Sequence, residues 1–220
     1  MTGIERYARG WDRLRLAGLA GAVSLSALVL AGCASTETRS VPARIETNEA
    51  VGFTIIEEAR VGNDVRSDYD QAVLLLEDGA DGRAIAVLEA VAEQAPGLSA
   101  PLIDLGIAQH RQGNLEAAEA ALDKALAVNP NHPIALNELG IIYRKTGRFD
   151  EARRSYEAAL AVYGGFHFAR RNLAVLCDLY LADLDCALTH YEAYMQTVPG
   201  DDEVTIWIAD ARNRIQQGVP

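Results

Sequence analysis

The feature that most constrains the fold is a spacing of 34 residues that recurs along the chain. Gly79, Gly113 and Gly147 stand one such step apart. Further positions keep the same step: Ala84, Ala118 and Ala152; Leu88, Leu122 and Tyr156; Leu105, Leu139 and Leu173. A period of this length indicates a solenoid, in which one small unit recurs and each copy packs against its neighbours.

Each period contains two apolar segments with helical spacing, joined by a short polar turn. In the third period the turn is 145–148, where Gly147 suits the left-handed conformation that ends a helix. Small residues at Gly140, Ala152 and Ala159 allow two antiparallel helices to approach closely. The sequence therefore predicts an all-α fold built from helical hairpins.

This pattern resembles the tetratricopeptide repeat (TPR), and residues 133–164 match it best, through Leu136, Leu139, Gly140, Tyr143, Gly147, Ala152, Tyr156 and Ala159. The resemblance implies an all-α TPR solenoid over 64–217. Its four helix-turn-helix repeats lie at about 65–98, 99–132, 133–166 and 167–200, and one residue is inserted in the fourth turn near 181–183. A capping helix over 201–217 follows, with Asp201 or Asp202 as N-cap, and we expect it to bury Ile206 and Trp207 and to direct Arg214 outward.

The N-terminus carries four arginines against two acids, followed by an uncharged run from 16 to 32 and then by Cys33. A basic start, an apolar core and small residues before a cleavage point are typical of a secretory signal peptide. The residues Leu30, Ala31, Gly32 and Cys33 resemble the lipobox of bacterial lipoproteins. The resemblance implies cleavage after residue 32 and acylation (palmitate) at Cys33. An uncleaved membrane anchor and ordinary signal cleavage are the alternatives.

Residues 33–63 are predicted to be a flexible tether between the lipid and the repeats. The first part is polar and shows no periodicity, whereas 53–56 is apolar. That stretch is either a short extended segment docked on the first repeat or a loose linker. Because Ala34 rather than aspartate follows Cys33, the lipoprotein resemblance implies the outer membrane, with the repeats facing the periplasm.

The chain is acidic, with a formal net charge of −11. Removal of 1–32 takes away more arginines than acids, so the mature chain is more negative still. Nucleic acids and anionic lipid surfaces are bound by basic patches, which makes them poor partners for this chain. A protein with a basic surface is electrostatically favoured as the partner.

Cys177 and Cys186 stand nine residues apart in the fourth repeat. The expected hairpin places them opposite each other across two helices, and export would expose them to an oxidising compartment, where disulfides persist. We predict a disulfide between them. Two buried free thiols that pack as small apolar residues are the alternative.

The sequence contains no pattern of residues that indicates catalysis. HExxH, GxSxG, a glycine-rich phosphate loop and CxxC are all missing, and the four histidines lack metal-ligand spacing. We therefore expect a protein that is not an enzyme and that holds neither a metal nor a cofactor.

TPR arrays bind peptides or protein segments on their concave face. The family's groove positions carry over to this chain as Ile103, Ile107, His110, Asn137, Ile141, Arg144, Arg171, Asn172 and Asp178. The resemblance implies that Asn137, Arg144 and Arg171 bond to a partner above an apolar floor of Ile107 and Ile141.

The alternative for the arginines is that they only neutralise Glu138, Asp104 and their neighbours on a solvated face. The lysine and asparagine clamp of chaperone-binding TPRs is not matched, since Ile103 and Ile107 stand where those residues are needed. We therefore expect a partner of another class.

The combined pattern predicts a lipid-anchored periplasmic TPR scaffold for protein–protein interactions in an envelope assembly. It is similar to TPR lipoproteins of pilus assembly, of the pilotin and Tad types. The run 137–140, Arg144 and the stretch 177–180 also resemble TPR proteins that accompany TonB/ExbB energy-transduction systems. An adaptor for cell-wall enzymes is a further alternative. The oligomeric state is left open.

Overall fold

The described part of the chain is a row of helical hairpins preceded by one β-hairpin. The computed structural model describes residues 44–48, 52–57 and 61–218. The predicted signal peptide and Cys33 lie outside these residues. The elements are β1 Arg44–Asn48, β2 Gly52–Ile56, α1 Asn63–Glu77, α2 Asp81–Gln94, α3 Ala100–Arg111, α4 Leu115–Val128, α5 Pro133–Lys145, α6 Phe149–Val162, α7 His167–Leu179, α8 Leu184–Thr197 and α9 Asp202–Gln217. None of these helices is both long enough and apolar enough to cross a bilayer.

The helices pair in sequence order, and each pair stacks on the next. α1 packs with α2, α3 with α4, α5 with α6 and α7 with α8, while α2–α3, α4–α5, α6–α7 and α8–α9 join successive pairs. The buried residues form clusters that cross the pair boundaries, because one hairpin cannot cover its own apolar faces. The predicted all-α solenoid is confirmed, with four hairpins and a ninth helix in the described residues.

The turn within each hairpin follows from one residue with positive φ. Gly79, Gly113 and Gly147 adopt φ of 71°, 83° and 76°, the conformation in which glycine avoids a Cβ clash. The fourth hairpin places Ala182 there instead, with φ 52°. This turn therefore holds its insertion in a conformation that alanine adopts only at a cost of about 1–2 kcal/mol.

Two glycines allow the paired helices to approach closely. A methyl group at Gly140 would lie 2.6 Å from Cδ1 of Tyr156, and one at Gly106 would lie 2.7 Å from Cγ of Leu122. Both facing side chains are fully buried. The spacing of small and large residues in the sequence thus corresponds to direct packing across the second and third hairpins.

β1 and β2 form an antiparallel hairpin in which Thr47 is opposite Phe53. The Phe53 ring lies 5.1 Å from the Tyr163 ring and 5.2 Å from the Phe166 ring. Glu57, just after β2, accepts a 2.8 Å hydrogen bond from the Ser99 backbone N–H and another from the Ser99 hydroxyl.

The described contacts of this extended segment are with the loops that join successive repeats, and its docking on the first repeat stays a prediction. The loop 163–166 supplies aromatic rings for Phe53. The beginning of α3 supplies backbone N–H groups that no helical carbonyl can reach, and a carboxylate satisfies them well. The first repeat provides neither contact.

α9 closes the C-terminal end of the array, and Asp201 caps it by accepting a hydrogen bond from the Val204 backbone N–H. Val204 and Ala211 are its buried residues. The expectation that Ile206 is buried is wrong, since this residue is 67% exposed. Ile206 lies outside the stripe that Val204 and Ala211 define, seven residues apart along the helix, and this stripe faces α8.

Candidate protein-binding face

The odd-numbered helices form one continuous face, which we call the inner face. α1 contacts α3, α3 contacts α5 and α5 contacts α7, in addition to their contacts with the even-numbered helices. All nine predicted groove residues lie on α3, α5 and α7. The repeat period therefore brings them to one side of the molecule, where a bound segment would meet several repeats at once.

Several of these residues are buried rather than open to a partner. Ile103 and Asn137 are fully buried, and Ile107 is 8% exposed. The two isoleucines pack in the core cluster that contains Leu122 and Leu139. Ile107 therefore belongs to the packed core and does not form the open apolar floor that was predicted. Ile141 is half-buried and packs at the edge of the neighbouring cluster.

Arg144 and Arg171 remain partly exposed, and each lies against an aromatic ring of the next odd-numbered helix or its end. Arg144 donates a 3.2 Å hydrogen bond to the Tyr180 hydroxyl and lies 5.6 Å from that ring's centroid. Arg171 lies 4.9 Å from the Trp207 ring centroid and bonds to Glu203 at 2.8 Å. The Arg171–Glu203 pair fits the alternative in which the arginines neutralise neighbouring acids, whereas no described hydrogen bond joins either arginine to Glu138 or Asp104.

The Nε–H groups of both arginines are buried and have no hydrogen-bond acceptor among the described residues. A buried donor without an acceptor is unfavourable by about 1–3 kcal/mol. The aromatic rings hold the guanidinium planes in fixed positions. Only the exposed part of each guanidinium group can therefore donate to an extended segment on the inner face, since the Nε–H groups are out of its reach.

Polar side chains on the inner face also connect one repeat to the next. The Tyr69 hydroxyl donates to Asp104 at 2.7 Å, and Asn172 donates to the Asn137 side-chain oxygen at 2.9 Å. Both pairs are separated by 35 residues. Such bonds occupy Asn137, which is therefore not exposed to a partner as the resemblance implies.

Asp178 belongs to the same series of contacts between repeats. It is 7% exposed and accepts a 2.6 Å bond from Arg214 of α9 and a 3.3 Å bond from the Tyr191 hydroxyl. The expectation that Arg214 is directed outward is wrong. A buried carboxylate requires a charged partner, and Arg214 is placed one repeat further along to provide it.

Glu138 and Asp104 are acids buried in the inner face. Burial raises the pKa of Glu138 to about 7, opposed by the hydrogen bond from Asn137 and by the charge of Arg111. Burial raises the pKa of Asp104 to about 6, opposed by the Tyr69 hydrogen bond. Burial, with smaller effects from Lys145, Arg144 and Arg111, lowers the pKa of His110 to about 4.

Cys177 and Cys186 form a disulfide in the structure, with their Cα atoms 5.9 Å apart. It joins α7 to α8 across the turn that contains Ala182. Asp183 is the third potential metal ligand close to these sulfurs, but its carboxylate caps α8 and bonds to Arg153. Sulfurs joined to each other are not thiolate ligands, so this group is a covalent link between helices.

Sequence reasoning did not identify the partners that fix the inner-face side chains. Tyr180, Trp207 and Arg214 each lie 36 residues after the residue they contact: Arg144, Arg171 and Asp178. The sequence does contain a signal for these pairs, namely an offset of 36 residues, which is the repeat length of 34 plus two. Residues at this offset lie next to each other on consecutive odd-numbered helices. A search at that offset would have found these pairs.

Comparison with known proteins supports this description of the fold. Two family models, both described as Tetratricopeptide repeat, match residues 67–137 and 103–177. A search of curated protein sequences gives no significant match.

Solved structures with a similar fold include MamA 41-end from Desulfovibrio magneticus RS-1, at 20% identity and a TM-score of 0.64, with 71% of this chain and 88% of that one covered. Pseudomonas aeruginosa PilF is similar at 18% identity and a TM-score of 0.63, with 70% and 69% covered. TTC0263, a TPR protein of Thermus thermophilus, gives 27% identity and a TM-score of 0.58, with 68% and 81% covered.

Proposed function

Because the chain carries tetratricopeptide repeats over residues 67–177, we propose that it is a lipid-anchored, periplasm-facing adaptor that holds protein segments in an envelope assembly of the pilus or secretion type. TPR proteins are in general non-enzymatic scaffolds that bind protein or peptide partners. The observation that carries the adaptor function is the inner face, where Arg144 and Arg171 present oriented, partly exposed guanidinium groups.

The location rests on the N-terminal sequence. Leu30 to Cys33 has the lipobox pattern after an uncharged run with a basic start. More than one acyl chain gives stable membrane attachment, because each buried methylene contributes about 0.8 kcal/mol. The Cys177–Cys186 disulfide supports an extracytoplasmic location, since disulfides persist in oxidising compartments.

The envelope system is proposed from the resemblance to TPR lipoproteins of pilus assembly. An accessory role in TonB/ExbB energy transduction and an adaptor role for cell-wall enzymes predict different partners. Cross-linking in intact cells followed by mass spectrometry separates the three. Pilins or secretins support the proposal, whereas ExbB/ExbD proteins or peptidoglycan hydrolases support an alternative.

The anchor is tested by Cys33→Ser, with Cys186→Ser as the control that removes a cysteine elsewhere. We expect the Cys33 variant to remain an unprocessed precursor without palmitate label, because the acylated thiol is missing. The Cys186 variant should be processed and labelled as in the wild type. Normal labelling of the Cys33 variant would refute the lipoprotein assignment.

The binding face is tested by Arg144→Ala and Arg171→Ala, with Arg83→Ala on α2 as an exposed control. We expect recovery of the cross-linked partner to fall about tenfold or more for each inner-face variant, as is typical when a hydrogen bond from a charged group is lost. Recovery should be unchanged for the control. Equal recovery with all three variants would contradict the assignment of the inner face.

A further inference from the structure

Glu138 on α5 and His110 on α3 face each other across the inner face with acceptor atoms that are not fully used. The distance from Glu138 Oε2 to His110 Nδ1 is 3.9 Å, too long for a hydrogen bond, and the side chains are 3% and 7% exposed. The other carboxylate oxygen, Oε1, accepts a 3.2 Å bond from Asn137. His110 Nδ1 is buried and makes no hydrogen bond within the described residues.

Two of the three cations that act on His110, Arg111 and Arg144, are bound to other groups. Arg111 bonds to the Asp81 carboxylate at 3.2 Å and to the Leu76 carbonyl at 3.3 Å. Arg144 bonds to Tyr180. Among the described residues, no lysine or arginine bonds directly to Glu138, although an ionised acid that is almost fully buried requires a cationic partner.

The acceptor character of this pair depends on the protonation states of the two groups. Burial and three neighbouring cations lower the pKa of His110 to about 4, so its ring is neutral at pH 7 and can present Nδ1 as an acceptor. Burial raises the pKa of Glu138 to about 7, although the Asn137 hydrogen bond and the charge of Arg111 oppose this change. An added ammonium or guanidinium group would favour the ionised carboxylate and would donate to both residues.

We propose that Glu138 and His110 form the receptor for a basic side chain, lysine or arginine, of the protein segment that binds the inner face. The inference rests on the proposed adaptor function and specifies its ligand. Two acceptors converge on one position, an anion would be repelled by the carboxylate, and a neutral donor would leave the buried charge uncompensated. The net charge of the chain, −11, also favours the approach of a basic segment.

The test is an NMR titration of the full chain in detergent micelles with acetyl-Gly-Lys-Gly-amide. The matched probe contains norleucine, which has the apolar stem without the ammonium group. We expect the lysine peptide to shift resonances of α3 and α5 and to lower the pKa of the Glu138 carboxyl group. The norleucine peptide should do neither.

Two substitutions locate the receptor. Glu138→Gln keeps the oxygen that accepts from Asn137 but removes the charge, and it should weaken lysine-peptide binding about tenfold or more. Glu116→Gln, an exposed acid in the first turn of α4, should leave it unchanged. Equal responses to the two peptides, or no response to the lysine peptide, would overturn the proposal. So would an affinity of Glu138→Gln for the lysine peptide equal to that of the wild type.

This result is separable from the adaptor function. Peptide binding in micelles requires neither the lipid anchor nor the cellular partner, so it can succeed if the envelope assignment fails. Conversely, partner recovery can depend on Arg144 and Arg171 and yet be the same with Glu138→Gln. That result would support the adaptor function and refute the receptor.

Discussion

At the scale of single residues, Glu138 makes stability depend on pH. Its pKa is about 7 in the folded chain, against 4.5 as its ordinary value. The folded state therefore retains a proton that the unfolded state releases, so stability present below pH 4.5 is lost as the pH rises through about 7.

We expect the wild type to lose more unfolding free energy than Glu138→Gln over this pH range, by an amount on the order of 2–3 kcal/mol. Urea unfolding at a series of pH values measures the difference. The comparison with the glutamine variant largely cancels the titration of Asp104 and the histidines. Parallel pH profiles for the two proteins would show that the pKa of Glu138 is the same in the folded and unfolded chain.

At the scale of helices and strands, the second and third hairpins each pack a glycine against a large side chain. Gly140→Ala would place a methyl group 2.6 Å from Cδ1 of Tyr156, whose ring is fully buried. We expect a loss of about 1–3 kcal/mol in unfolding free energy, measured by chemical denaturation.

Gly82→Ala is the matched control, because it lies in α2 and a Cβ there would have no heavy atom within 4 Å. This change should be neutral or stabilise the protein by up to about 1 kcal/mol, since alanine favours the helix. If both variants lost the same stability, close packing at Gly140 would not be the cause.

The β-hairpin is a second element whose contribution can be isolated. Phe53→Ala removes the ring that contacts Tyr163 and Phe166, while Phe53→Leu retains most of the apolar volume. We expect the alanine variant to lose about 1–2 kcal/mol of hairpin stability. Hydrogen exchange of the backbone amides in β1 and β2 should accelerate in that variant and change little in the leucine variant. Unchanged exchange in the alanine variant would refute the docking.

The elements differ in how far the sequence predicts them. Helical hairpins could be predicted because glycine turns and apolar periodicity are local and recur at a fixed step. The docking of β2 could not, since it depends on Glu57 meeting Ser99 and Phe53 meeting Phe166 across long sequence separations. Burial of Ile103 and Asn137 was missed for a related reason: the distance between odd-numbered helices is set by packing of the whole array.

At the scale of the whole molecule, the array is connected in three ways. Apolar clusters cross the repeat boundaries, polar side chains join successive odd-numbered helices, and one disulfide links α7 to α8. Polar bonds such as Tyr69–Asp104 and Asp178–Arg214 occur towards opposite ends of the inner face. If the inner face binds a partner as proposed, the spacing between its arginines and acids is fixed before binding, which lowers the entropic cost of association.

The docked β-hairpin also sets how far the array can travel from a membrane. If Cys33 bears the proposed anchor, the tether ends at Arg44, where β1 begins. It does not extend to α1, because the hairpin is docked on the repeats. The chain between these residues can span at most about 35–40 Å. A short tether gives the inner face a high effective concentration toward partners in the same membrane. It also keeps the inner face away from partners that lie farther from that membrane. Release of the hairpin would lengthen this reach without any change in the binding face.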